Sequence, residues 1–137
     1  MNRNVLAVAS LILIVMSSTL ARATGCAALT NGQHIFLKSS DLDPDVFVWD
    51  SRVRVIEYSA GHWKNTTDVM NHTVLSKPGT RAVIVQCEKN VVHSKFANEI
   101  LDAVGIKIVA GPNRGHYGWV TSEDVYSSAK TAELRTR

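Results

Sequence analysis

The run from Ala103 to Val125 limits most strongly what this chain can become. It reads Ala-Val-Gly-Ile-Lys-Ile-Val-Ala, then Gly-Pro-Asn-Arg-Gly, then His-Tyr-Gly-Trp-Val, and closes on Thr-Ser-Glu-Asp-Val. Ile106 and Ile108 alternate with Lys107, a period of two that puts the isoleucines on one face of a strand. After the turn, Tyr117 and Trp119 share one face while Gly118 and Val120 take the other. Pro112 has a fixed φ and no N–H to donate, which suits a reversal and not a central strand. Gly111 and Gly115 supply the positive φ that such a reversal needs. The pattern predicts a β-hairpin. Gly118 within its second strand marks a bulge or a close backbone approach. Thr121 to Asp124 has the length of one helical turn before Val125 returns to the core.

The start of the chain reads differently. One positive charge in Met1–Asn4 precedes an apolar run of about a dozen residues, Val5 to Met16, too short to span a bilayer comfortably. Ser17, Ser18 and Thr19 follow, and Ala21-Arg22-Ala23 fits the small-x-small cleavage rule. Residues 1–23 are therefore expected to be a signal peptide, and the mature protein to be periplasmic or secreted, with no membrane span. Removing them leaves about 114 residues, one small domain with a modest core. The full sequence carries a net charge of +3, and Arg3 and Arg22 depart with the signal, leaving about +1. The remaining basic residues are scattered among acids. Polyanion capture needs a concentrated basic patch, so a nucleic-acid partner is not expected.

Both cysteines, Cys26 and Cys87, belong to the exported part. An even count in an oxidising compartment favours a single Cys26–Cys87 disulfide. A cut after Gly25 would instead make Cys26 a first residue able to carry lipid, as in bacterial lipoproteins. The lipobox of those proteins wants Leu where Ala23 stands, and Thr24 is a poor match. The disulfide is preferred over the anchor.

Between these ends the elements are short. Residues 24–45 read as an irregular lead-in, in which His34–Leu37 is a short strand or a hydrophobic peg. Lys38 to Asp45 is loop-like in composition, and Val46–Trp49 is strand-like. Arg52-Val53-Arg54-Val55-Ile56-Glu57-Tyr58 alternates cleanly and reads as a half-buried strand with Arg52 and Arg54 in water. Trp63 to Leu75 is rich in poor helix formers and reads as a long loop holding one helical turn. Asn65-Thr66-Thr67 and Asn71-His72-Thr73 match the glycosylation acceptor pattern. After the Pro78-Gly79 turn, Thr80 to Cys87 reads as a strand covered on both faces, or one at the barrel centre. Glu88 to Asp102 leaves the sheet, with Phe96, Ile100 and Leu101 on a short amphipathic helix capped by Ser94. Residues 127–137 form a polar, frayed tail. The sum is a mainly β fold: a small, partly open barrel of about five to six strands over residues 46–126, with one or two short helical turns.

Pro78-Gly79-Thr80 leading into Ala82–Cys87, then Gly105-Ile106-Lys107-Ile108, Gly111, Gly115, Gly118-Trp119-Val120 and Val125, resemble the bacterial SH3-like domains of exported proteins. In that family a strand of G-x-x-G-W-V type, a helical turn and a final apolar residue close a five-stranded barrel. The resemblance implies an SH3-like (SH3b-type) binding module of the cell envelope, with peptidoglycan or a partner protein as ligand and no enzymatic activity.

Few residues offer other chemistry. Cys87 and His93 are the one nucleophile–base pair close in sequence, yet Cys87 shares strand parity with Val83 and Val85, as a buried or disulfide-bonded cysteine would. His34, His62, His72, His93 and His116 lack metal-ligand spacing. Asp41, Asp43 and Asp45 lack the glycine and distal glutamate of a calcium loop. No cofactor, metal or phosphate motif is present. Trp49, Trp63, Tyr117 and Trp119 remain as candidate groove-lining rings. The competing reading is a small exported enzyme or inhibitor with its site in the long loops 63–75 and 90–102.

Overall fold

The computed structural model describes residues 25–39 and 43–127. The expected signal peptide, all but one residue of the expected tail, and Asp41 lie outside them. A single antiparallel sheet curls into a half-barrel. Its strands are β1 (His34–Leu37), β2 (Val46–Trp49), β3 (Thr73–Ser76), β4 (Arg81–Ser94), β5 (Glu99–Ile108), β6 (Tyr117–Thr121) and β7 (Val125–Tyr126). They lie in the order β3-β2-β6-β5-β4-β1-β7. Two short helices, α1 (Arg52–Ser59) and α2 (Thr66–Asn71), connect β2 to β3. Among the described residues no helix is long and apolar enough to cross a membrane.

The 103–125 hairpin forms as its pattern requires. Ala103 faces Thr121, Gly105 faces Trp119 and Lys107 faces Tyr117. Gly111 and Gly115 take φ of +79° and +95°, while Ile106, Ile108 and Val120 are buried. Gly118 is a point of close approach: a Cβ there would run into Val48 Cγ1 and lie 2.7 Å from the Trp49 carbonyl oxygen. Ser122–Asp124 makes one 3-10 turn, closed by a capping box between Thr121 and Asp124, and Val125 returns to the core. The main core beneath the sheet joins Ile35 and Leu37 of β1, Val46 and Val48 of β2, Ile84 of β4, Ile106 and Ile108 of β5, and Val125.

Four segments depart from the sequence reading. First, residues 24–45 are not irregular throughout: of the two readings of His34–Leu37 the strand is the one formed, and β1 pairs with β4 on one side and β7 on the other. Second, Arg52–Tyr58 lies in α1 and not in a strand. Val55 and Ser59 are buried four residues apart, with Ile56 and Tyr58 packed beside them, a helical spacing that the arginine–valine alternation disguised. Ser51 decides the case, since its hydroxyl accepts the Arg54 N–H as an N-cap. Arg52 and Arg54 then pair with Glu88 and Asp68.

Third, 63–75 is not one loop. Asn65 caps α2 by accepting the Asp68 N–H at 2.9 Å, and Thr73–Ser76 adds β3 to the edge of β2. Fourth, Glu88–Asp102 stays in the sheet, because β4 and β5 continue together to a tip at residues 95–98. Ser94 does cap, but in a turn: its hydroxyl accepts the Ala97 N–H at 3.1 Å, and Asn98 takes φ +52°. Irregularities between Ile84 and Gln86 and between Glu88 and Val92 shift the strand's parity. Val85, at the first of these irregularities, is 43% exposed, so the strand is not covered on both faces as its Val-Ile-Val run suggests.

Cys26 and Cys87 form the disulfide. Beside it the Asp102 carboxylate accepts the Cys26 N–H at 2.7 Å and the Asn90 N–H at 2.8 Å. One side chain thereby fixes both the start of the described chain and the left-handed residue (Asn90, φ +58°) of the second bulge.

Candidate functional site

The extended β4–β5 hairpin creates a second, smaller core. Trp49, Val55, Val92, Leu101 and Ala103 are buried in it, and Phe47, Tyr58 and Trp119 pack against them. α1 lies across this end of the sheet, and the Lys95 N–H donates to the Ser59 carbonyl at 2.8 Å, joining hairpin tip to helix. Between α1, the tip and β2 a cleft of about 380 Å³ stays open.

Its floor is aromatic. The half-buried Tyr58 ring sits at the hub, with centroids 4.8 Å from Trp49, 5.6 Å from Phe96, 6.1 Å from Trp63 and 6.2 Å from Phe47. These spacings lie in the range of attractive ring pairs. Two of the rings are not covered: Phe96 is 63% exposed and Trp63 47%. Its rim is acidic. Asp43, Asp45, Glu99, Glu123 and Asp124 line the opening, and no Lys or Arg does so among the described residues. Lys77 balances Asp45 at 2.8 Å. Asp124 accepts from the Thr121 N–H and hydroxyl.

Burial, and secondarily the Asp43 carboxylate, raise the Tyr58 phenol above its ordinary 10.0. The folded protein therefore holds this proton where the unfolded chain has lost it. The stability so contributed is present below pH 10 and is lost as pH rises through the folded value. Absorbance titration of the phenolate should show one tyrosine ionising late. Asp43→Asn should bring that step to lower pH without restoring the ordinary value, because burial remains. An unchanged titration in the variant would contradict the assigned influence of Asp43.

The expected site residues do not gather as one groove. Trp49 lines the cleft, while Trp63 is not among its lining residues and reaches it only through a tilted contact with Tyr58. Trp119 faces Trp49 across the β2–β6 pair and lies over Gly105, partly buried. Tyr117 stands apart, 65% exposed, with Lys107 Nζ 5.2 Å from its ring centroid. Tyr58, Phe96 and Phe47 were not singled out from sequence, nor were the rim acids Glu99, Glu123 and Asp124. The sequence pattern puts Tyr58 in a strand and Phe96 on a short amphipathic helix, and nothing in one dimension brings them together.

The Cys87–His93 pair has no thiolate to offer, since Cys87 is disulfide-bonded. The two also face different partners, Val104 and Ile100, with Cys87 at the middle of β4 and His93 near its end. His72 hydrogen-bonds Asp50 at 2.7 Å through Nδ1. Among the described residues, no group of three or more His, Cys, Asp or Glu is placed to hold a metal ion. Comparison with known proteins finds no matching family model, no matching curated protein and no matching solved structure.

Proposed function

We propose that this chain is an exported, non-enzymatic binding module of the cell envelope, SH3-like in kind, that takes its ligand in the Tyr58 cleft. The observation that carries the reading is the pair of exposed rings, Phe96 and Trp63, packed at a tilt against the half-buried Tyr58, with Phe96 and Tyr58 lining an open cleft. Exposed aromatic surface beside a concavity is the usual mark of a recognition site. The disulfide is consistent with an oxidising, exported location. The ligand classes are peptidoglycan and a partner protein of the envelope. With Cys87 bonded, the rival enzyme reading has lost its one proposed nucleophile. Its inhibitor form is itself a protein-binding reading.

Phe96→Ala tests the site. Phe96 is exposed, so stability should move by no more than about 0.5 kcal/mol. Retention on purified sacculi, or of the partner recovered from an envelope fraction, should fall about 30-fold, as for a truncated interface anchor. Retention equal to wild type in both assays would remove the cleft as the binding site.

A further inference from the structure

We infer that Asn31 is a site of spontaneous deamidation that the fold holds shut and that opening of the β1–β4 seam releases. Asn31-Gly32 is the one Asn-Gly pair in the sequence. Both residues are exposed, at a turn closed by the Gln33 N–H donating to the Thr30 carbonyl at 3.1 Å. Gly32 takes φ +82°, the positive value that a type II turn needs at its third residue. Having no side chain, Gly32 leaves its own nitrogen open to the preceding asparagine.

The chemistry needs only water. The Gly32 nitrogen gives up its proton and bonds to Cγ of Asn31, closing a five-membered imide. The Cγ–Nδ2 bond breaks, and Nδ2 takes up a proton and leaves as ammonia. Water then opens the imide at one carbonyl or the other, giving aspartate or isoaspartate.

The fold occupies the attacking atom. The Gly32 N–H donates to the Ile84 carbonyl at 2.7 Å, and the Ile84 N–H returns a bond to the Gln33 carbonyl at 2.9 Å. These bonds continue the β1–β4 pairing beyond His34 and Val83. A nitrogen held by an acceptor keeps its proton and its direction, so ring closure waits until the seam parts locally. The Cys26–Cys87 bond ties the chain ahead of Asn31 to β4 beyond Ile84, and so restrains the same opening. The change is one-way. Either product adds a carboxylate, and isoaspartate lengthens the main chain by one carbon just before the Gln33–Ile84 bond. A converted molecule therefore opens more readily than the original.

The test incubates the full exported protein in mildly alkaline buffer in three states: disulfide-bonded, reduced, and reduced in guanidinium chloride. The tryptic peptide ending at Lys38 is weighed for the mass gain of amide-to-acid conversion. Amide exchange at Gly32 is followed by NMR in the two samples without denaturant. Conversion should be at least about tenfold slower in the disulfide-bonded protein than in the unfolded chain, with Gly32 exchange slowed by a similar factor. Reduction should speed conversion and exchange together, by at least about threefold. In Asn31→Gln the peptide should show no gain, because the longer side chain closes its ring poorly. Equal conversion in folded and unfolded protein, none in the unfolded chain, or reduction that moves one rate without the other would each overturn the inference.

Discussion

Opening the Cys26–Cys87 bond, by reductant or by Cys26→Ser with Cys87→Ser, is expected to cost about 4 kcal/mol of stability. The two residues are 61 apart in sequence, and in the chain-entropy account a loop of that size restricts the unfolded chain by about that amount. A domain near 100 residues has roughly 5–15 kcal/mol in all, and its melting temperature moves about 4–8 °C per kcal/mol. The reduced protein should therefore melt roughly 15–30 °C lower. The location supports a large effect, because Cys26 precedes β1 while Cys87 lies between the two irregular stretches of β4. Without the bond, Asp102 still accepts the Cys26 N–H, but a part-buried hydrogen bond of this kind is worth only about 1.5–3 kcal/mol. Thermal unfolding with and without reductant checks the value. A loss below about 1 kcal/mol would show that the unfolded chain is already restricted in some other way.

Gly118→Ala should cost about 3 kcal/mol, at the upper end of what overpacking usually does. The new methyl would meet Val48 Cγ1 and lie 2.7 Å from the Trp49 carbonyl oxygen. A side chain can turn aside, but that oxygen belongs to the strand that pairs with β6 through Trp49 and Trp119. Relief therefore means separating β2 from β6. Gly105→Ala is the matched control, since its Cβ would lie 3.4 Å from the Trp119 ring, near ordinary contact. Denaturant unfolding of the two variants should differ by at least about 1.5 kcal/mol, with Gly118→Ala the weaker protein. Because β2 also carries Phe47 and Trp49, Gly118→Ala should disturb the cleft too. Equal stability of the two would mean that β2 shifts freely, contrary to the packing described.

The parts of this fold that are legible in sequence are those in which local pattern and tertiary demand agree. The 103–125 hairpin has its turn glycines, its alternating isoleucines and a glycine where another strand crowds in, and each says the same thing. Val46–Trp49 is apolar enough to be a strand in any setting. The Cys26–Cys87 bond follows from the even cysteine count and the oxidising compartment that the sequence leads one to expect. Arg52–Tyr58 misled because seven residues fit period two and a helical face about equally, and the Ser51 cap was the signal that separates them. α2 and β3 are six and four residues long, too short for any periodicity to rise above composition. In Glu88–Asp102 the bulges shift the parity that a strand reading relies on. The cleft was illegible for a different reason: Tyr58, Phe96 and Asp43 come from a helix, a hairpin tip and a loop that only the completed sheet brings together.

The placement of β1 also bears on how the chain reaches this shape. Phe36 faces Arg81 on one side and Tyr126 on the other, so the earliest strand acquires its second neighbour only from the far end of the polypeptide. Rates of folding fall as such distant pairings accumulate, toward milliseconds to seconds for sheets of high contact order. The β4–β5 ribbon can zip up early. The seam beside β7 has to wait for the last residues, and until then an apolar Ile35–Leu37 ridge stands uncovered along one border.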